Sequence, residues 1–203
     1  WYVVDSEPGS YLYCGLSRDA SKEEILERIN NNTITDILNK IEVKAGDVVM
    51  VKAGTIHAIG AGVFICEIQQ NSNCTYRMYD YDRRDKFGNP RELHVKKALD
   101  VVDNHKYVKD NKTEVVIARN EHFTEERLVQ CKYFEVYKYD VNDEAKITVD
   151  EASFVSVLFI NGSGTIETDD YEKTMEFKAG DSFFVSAGLR SIIVKGQATM
   201  VVT

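Results

Sequence analysis

The sequence predicts a mainly β protein built as two related β units, with one small helical insertion around residues 21–40. Two observations carry that prediction. Short runs rich in β-branched and aromatic residues, separated by turn residues, fill most of the chain. In addition, residues 41–54 return without a gap 134 positions later, as residues 175–188. Both copies read Lys-Ala-Gly-Asp (Lys44 to Asp47, Lys178 to Asp181), then four residues of a predicted strand, then Ala-Gly (Ala53-Gly54, Ala187-Gly188). Glycine supplies the positive φ that tight turns demand, and the short Asp side chain can hydrogen-bond its own loop. Such a unit is the second half of a small jelly-roll barrel, present here twice.

Taken in order, the helical segment is read first. Ser21-Lys22-Glu23-Glu24 fits a capping box, with Ser21 as N-cap and Glu24 at N3. Ile25, Leu26 and Ile29 form the apolar face, and Asn30-Asn31-Asn32 breaks it. A second short helix is expected from Thr33, with Ile34, Ile37, Leu38 and Ile41 at helical spacing, and a helical turn at 96–102. Strands are expected at 48–51, 63–68, 75–79, 133–139, 154–160, 182–185, 192–195 and 199–202. Residues 103–130 carry charge and few aromatics and read as a connection. The expected organisation is therefore a first barrel with its helical insertion at 1–102, a connecting segment at 103–130, and a second barrel at 131–203.

The 203 residues carry 25 Lys and Arg against 33 Asp and Glu, a net charge of −8. That field repels a phosphate backbone, so nucleic acid is not an expected partner, whereas a local basic cluster can still take a small anion. No window approaches 18 uninterrupted apolar residues, so no membrane span is expected. Cys14, Cys66, Cys74 and Cys131 form no CxxC pair and read as thiols in a reducing cytoplasm. Trp1 is neither an initiator Met nor the start of a signal peptide, so a preceding segment is expected.

The two repeats part where chemistry would sit. Thr55-Ile56-His57 follows Gly54, while Leu189-Arg190-Ser191 follows Gly188, which sets His57 against Ser191 in register. The first unit thus carries a histidine at the turn into a strand and the second carries none, as in a working barrel paired with a structural one. A lone histidine beside apolar neighbours is more often structural than a ligand. The pattern Gly46-Asp47, strand, Ala53-Gly54, His57, however, resembles the second metal-binding motif of cupins, with Lys52 in place of the proline usual before the Ala-Gly turn.

Further motifs narrow the resemblance: residues 54–60, Glu67 to Ser72, Thr75-Tyr76-Arg77-Met78-Tyr79-Asp80-Tyr81-Asp82-Arg83, and Gly88 to His94. With Trp1-Tyr2-Val3-Val4 and Glu7-Pro8-Gly9, they are similar to type I mannose-6-phosphate isomerases over essentially the whole chain. The resemblance implies two cupin-like barrels and a Zn²⁺-dependent isomerase in the cytoplasm, interconverting mannose 6-phosphate and fructose 6-phosphate. It further implies that His57 is one of four zinc ligands. The other three, with an active-site lysine, would lie upstream of Trp1, so the chain would correspond to the C-terminal two-thirds of the enzyme. Arg77 corresponds to the family's active-site arginine, able to stabilise an enediolate. Glu67, on a strand that reads as buried, is the next candidate, as proton carrier or partner of a ligand. Asn73 stands where relatives often carry Asp.

Arg83, Arg84, Lys86 and Arg91 form a basic cluster, read chiefly as pinning a loop to nearby aspartates, with contact to the substrate phosphate as the other reading. His94, His105 and His122 match no ligand spacing and read as ordinary. An incomplete first barrel would leave unpaired edges, so self-association through it is expected. The rival reading is a non-catalytic cupin module for sugar binding or oligomerisation. Another cupin metalloenzyme, such as a dioxygenase, fits the Tyr-Arg-Met-Tyr-Asp segment poorly.

Overall fold

The Gly-Asp turns anchor the architecture of both units. In the computed structural model, which describes residues 1–72, 74–109, 115–168 and 171–203, they are built alike. Lys44 N–H donates to the Asp47 carboxylate at 2.8 Å and Lys178 N–H to the Asp181 carboxylate at 2.9 Å. Gly46 and Gly180 sit at φ 93° and 88°. Each turn also exchanges two backbone bonds with a fully buried strand residue. Gly46 N–H donates to Val3 C=O and Val3 N–H to Asp47 C=O, both at 2.8 Å. Gly180 N–H donates to Phe159 C=O at 2.8 Å and Phe159 N–H to Asp181 C=O at 3.0 Å.

The chain divides into two compact units, Trp1–Lys109 and Asp110–Thr203. The first holds β1 (Tyr2–Ser6), β2 (Tyr11–Leu16), α1 (Lys22–Asn30), a 3-10 turn (Ile34–Ile37), β3 (Leu38–Glu42), β4 (His57–Ile59), β5 (Val63–Cys66) and α2 (Val95–Val101). β1 pairs with β5, and β2 lies between β3 and β4. The second holds β6 (Val115–Arg119), β7 (Phe123–Gln130), β8 (Glu135–Val141), β9 (Glu144–Val149), β10 (Val155–Thr168), β11 (Tyr171–Lys178), β12 (Ser182–Val185) and β13 (Arg190–Val202). Its sheet runs β11-β10-β13-β8-β7-β6, with β12 on β10 and β9 on β13. The protein is mainly β, as expected. Among the described residues none of the sheets closes into a complete hydrogen-bonded ring.

Register relates the units further. Leu12 pairs with Ile41 on one side and Ile59 on the other, as Ile166 pairs with Met175 and Val194. β1 and β2 together thus correspond to the single long β10. Pro8, which has no N–H to give a ladder, lies in the break between β1 and β2. In β10 the chain bends at Gly162 instead, at φ 91°, where a Cβ would stand 1.9 Å from the Gln197 carbonyl oxygen. By the same register His57 aligns with Ile192, one residue beyond the Ser191 that the ungapped repeat gives. Ile192 is packed in the second unit's core, so that ladder position offers no donor there.

α1 forms as the capping box predicts, with Glu24 N–H donating to Ser21 Oγ at 3.1 Å. It occupies the connection between β2 and β3, where the corresponding β10 and β11 meet through a Thr168–Tyr171 pair. The second predicted helix shrinks to the 3-10 turn, because residues from Leu38 onward are taken up by pairing with β2. Residues 48–51 pair only at Val48, which bridges Tyr2. Residues 75–79 form no ladder, which corrects the predicted strand. Residues 103–130, expected as a connection, contain β6 and β7. One of their charges is matched across strands, with Lys138 on β8 2.8 Å from Glu126 on β7.

β2 has two apolar faces. Leu12 and Cys14 join Val3, Val43 and Val49 on one side. Tyr13 packs on the other, against a cluster that includes Ile25, Ile29 and Ile37. The second unit's core centres on Phe159, which stacks on Phe177 with ring centroids 3.7 Å apart. Phe159→Ala should therefore cost about 3–5 kcal/mol, measurable as a lowered urea midpoint at unchanged m-value.

In the same unit His122 Nδ1 lies 2.9 Å from the Asp143 carboxylate, tying the turn before β7 to the turn before β9. That bond raises the imidazole pKa and lowers that of Asp143. The histidine's stabilising contribution is complete below its unfolded pKa of about 6.5 and is lost as pH rises through the raised folded value. The carboxylate's is present above about 3.9 and lost as pH falls through the depressed one. His122→Ala should accordingly lower Tm at pH 6 and make little difference near pH 9, with a smaller gap at high salt.

Candidate functional site

His57 opens β4 directly opposite Cys14. Opposed residues of a ladder share a face, so His57 stands on the side of β2 that buries Leu12 and Cys14, and it is exposed there. Its Nδ1 lies 2.8 Å from the Thr55 carbonyl oxygen. A carbonyl can only accept, so Nδ1 carries the proton and Nε2 keeps its lone pair, the form in which imidazole binds a metal. The Trp1 ring meets the imidazole edge-on, with centroids 5.3 Å apart. Trp1 Nε1–H then donates to Glu67 Oε1 at 2.9 Å, so the indole joins His57 and Glu67 into one patch.

Glu67 lies just beyond the end of β5 and is exposed, which corrects its expected place on a buried strand. The strand ends at Cys66, the last residue with a ladder partner on β1.

Arg77 belongs to a second group. Its backbone N–H donates to His94 Nδ1 at 3.2 Å, its carbonyl accepts from His94 N–H at 2.7 Å, and its guanidinium reaches the Glu92 carbonyl at 3.4 Å. Met78 and Tyr79, next along the chain, pack against the helical cluster. Among the described residues no hydrogen bond, ion pair or ring contact joins Arg77 to His57 or Glu67.

The basic cluster pins its loop. Arg83 pairs with Asp80, Arg91 approaches the same Asp80 oxygen at 3.6 Å, and Arg84 lies 3.3 Å from Asp82. Burial alone would raise the Asp80 pKa, but the Arg83 bond and the charges of Arg91 and Arg77 hold it below the ordinary carboxylate value. Asp80 and Arg83 also line a cleft of roughly 90 Å³ with Tyr79, Arg91 and Asn32. His105 Nδ1 lies 3.1 Å from the Asp103 carboxylate. Asn73 lies outside the described residues.

Sequence reasoning missed Trp1, Thr55 and His94 as parts of the site. Trp1 is the single tryptophan of the sequence, but its bond to Glu67 spans 66 positions and leaves no local signal.

His57 is oriented as a ligand should be, yet among the described residues no three His, Cys, Asp or Glu side chains cluster to hold a metal. Structural and catalytic zinc takes three or four protein ligands, so the described residues do not by themselves make a zinc site.

Doubled Gly-Asp turns, a shared ladder register and one ligand-oriented histidine mark the cupin class. Residues 124–203 match the family model "Mannose-6-phosphate isomerase, cupin domain". Across its whole length the chain is 38% identical to YvyI of Bacillus subtilis, itself named only as a candidate mannose-6-phosphate isomerase, and 32% identical to the mannose-6-phosphate isomerase ManA of that species. It spans 62% of each. A crystal structure of mannose 6-phosphate isomerase from Bacillus subtilis superposes with TM-score 0.88 at 36% identity, covering 100% of this chain and 62% of that one. Along its whole length the chain is similar to mannose-6-phosphate isomerases, and residues 124–203 carry the match to their cupin domain.

Because the one tryptophan touches both His57 and Glu67, its fluorescence reports on the patch. Glu67→Ala should shift the emission maximum or intensity, while Glu67→Gln, which keeps an acceptor for the indole, should shift it less. Equal spectra for wild type and Glu67→Ala would disprove the contact.

Proposed function

We propose that this chain forms part of a zinc-dependent isomerase that interconverts mannose 6-phosphate and fructose 6-phosphate in the cytoplasm. The observation that carries the reading is His57, held by the Thr55 carbonyl with Nε2 free, in a chain similar to these isomerases. Its four free thiols suit a reducing compartment. The relatives' names supply the substrate class, and they extend over more sequence than this chain spans.

His57 would hold the zinc through Nε2, with the remaining ligands in the part of the relatives' length that this chain does not span. When bound, the metal supplies Lewis acidity toward sugar oxygens. The chain's own groups have separate tasks. The exposed carboxylate of Glu67 takes the proton from C2 of the aldose and returns it to C1, while the O2 hydroxyl proton passes to O1, so the aldehyde becomes a hydroxymethyl group and C2 the ketone carbon. The Arg77 guanidinium offsets the negative charge that develops on the enediolate oxygens. The solvent-facing arginines of the 83–91 loop keep the substrate phosphate in a favourable field.

The test uses the protein purified from its native source, with turnover followed by coupled detection of fructose 6-phosphate and zinc by metal analysis. Arg77→Ala should lower kcat by roughly 100-fold or more with zinc content unchanged, and His57→Ala should lower zinc content itself. Near wild-type turnover in Arg77→Ala would remove Arg77 from the mechanism. Absence of both zinc and isomerisation in the native protein would favour a sugar-binding or oligomerisation module.

A further inference from the structure

His94 is built into the fold in a way that helix formation does not explain. It is the N-cap of α2, with its carbonyl accepting from Ala98 N–H at 2.9 Å. That position favours Ser, Thr, Asp or Asn, whose side chains bond the first free N–H groups of a helix. The His94 side chain makes no such capping bond. It turns instead to the Arg77 backbone, where Nδ1 accepts from Arg77 N–H, while His94 N–H holds the Arg77 carbonyl.

Arg77 depends on this contact, because the 75–79 segment has no ladder to fix it. Both main-chain polar groups of Arg77 are satisfied by one residue, and its guanidinium rests on the carbonyl of Glu92, two positions before that residue. The His94 ring is only 25% exposed, and its centroid lies 6.2 Å from that of Tyr76. To accept at Nδ1 the ring must be neutral with its proton on Nε2, which lies 3.9 Å from Glu92 Oε1.

We propose that His94 is a positioning residue that sets the place of the Arg77 guanidinium through a two-point grip on its backbone. The proposal rests on the catalytic role given to Arg77 above. Loss of the Nδ1 acceptor frees the arginine's backbone, and a displacement of about 1 Å at a charge-stabilising group can cost up to ~100-fold in rate.

His94→Ser separates positioning from structure. Serine is the better N-cap, so α2 should be as stable or more so, yet its hydroxyl is too short to replace Nδ1 at Arg77. In the native, zinc-loaded protein His94→Ser should keep or raise Tm and lower kcat by roughly tenfold or more, with KM changed less. In an Arg77→Ala background the same substitution should cost almost nothing further. Independently of activity, ¹⁵N NMR of this chain should show His94 protonated at Nε2 and bare at Nδ1. Wild-type kcat in His94→Ser beside a damaged Arg77→Ala overturns the positioning role alone. A harmless Arg77→Ala overturns the catalytic reading of Arg77 and the positioning role with it. A ring protonated at Nδ1 removes the grip itself.

Discussion

A pair of backbone hydrogen bonds between a Gly-Asp turn and one buried strand residue is the constraint from which both units are built. The glycine accepts a positive φ that other residues resist, and the aspartate closes the turn on the lysine N–H three positions earlier. The turn's free N–H and C=O then meet Val3 in one unit and Phe159 in the other. Because a strand's side chains alternate, that register decides which residues of the next strands enter the core. A slip of one residue would expose Val3 or Phe159, both fully buried.

The first unit departs from the second around β2. With Leu12 and Cys14 on one face and Tyr13 on the other, this strand is apolar on both sides. The second face exists to be covered by α1 and the 3-10 turn, whose Ile25, Ile29, Ile34 and Ile37 are buried there. The opposite face is left for His57, exposed beside Trp1. The helical insertion therefore buttresses the strand that places the candidate ligand, and among the described residues no hydrogen bond, ion pair or ring contact joins it to His57.

Electrostatics within the first unit follow the same division. On the His57 face, the ordering contacts are a carbonyl on imidazole and an indole on carboxylate. Around Arg77 they are a main-chain grip and a loop whose arginines converge on the buried Asp80. How far each depends on burial differs. Asp80 is 6% exposed, and the guanidinium groups around it outweigh the upward push of burial on its pKa, whereas His57 and Glu67 are exposed.

By itself the sequence determined whatever local chemistry determines. The Lys-Ala-Gly-Asp repeat, the capping box at Ser21 and β12 at Ser182–Val185 were all legible, because turn φ angles, caps and short-range alternation are encoded within a few residues. His57 was legible as a candidate ligand because its position follows such a turn. Tertiary structure alone decided the rest. It placed β6 and β7 in the second unit, since their backbone ladders run on to β8 whatever charges their side chains carry. It held 75–79 out of any sheet, since strand-like residues form a strand only when a neighbouring edge is free to bond them. And it brought Trp1 to Glu67 and His94 to Arg77, contacts whose partners lie 66 and 17 positions apart and are joined only when the backbone between them folds.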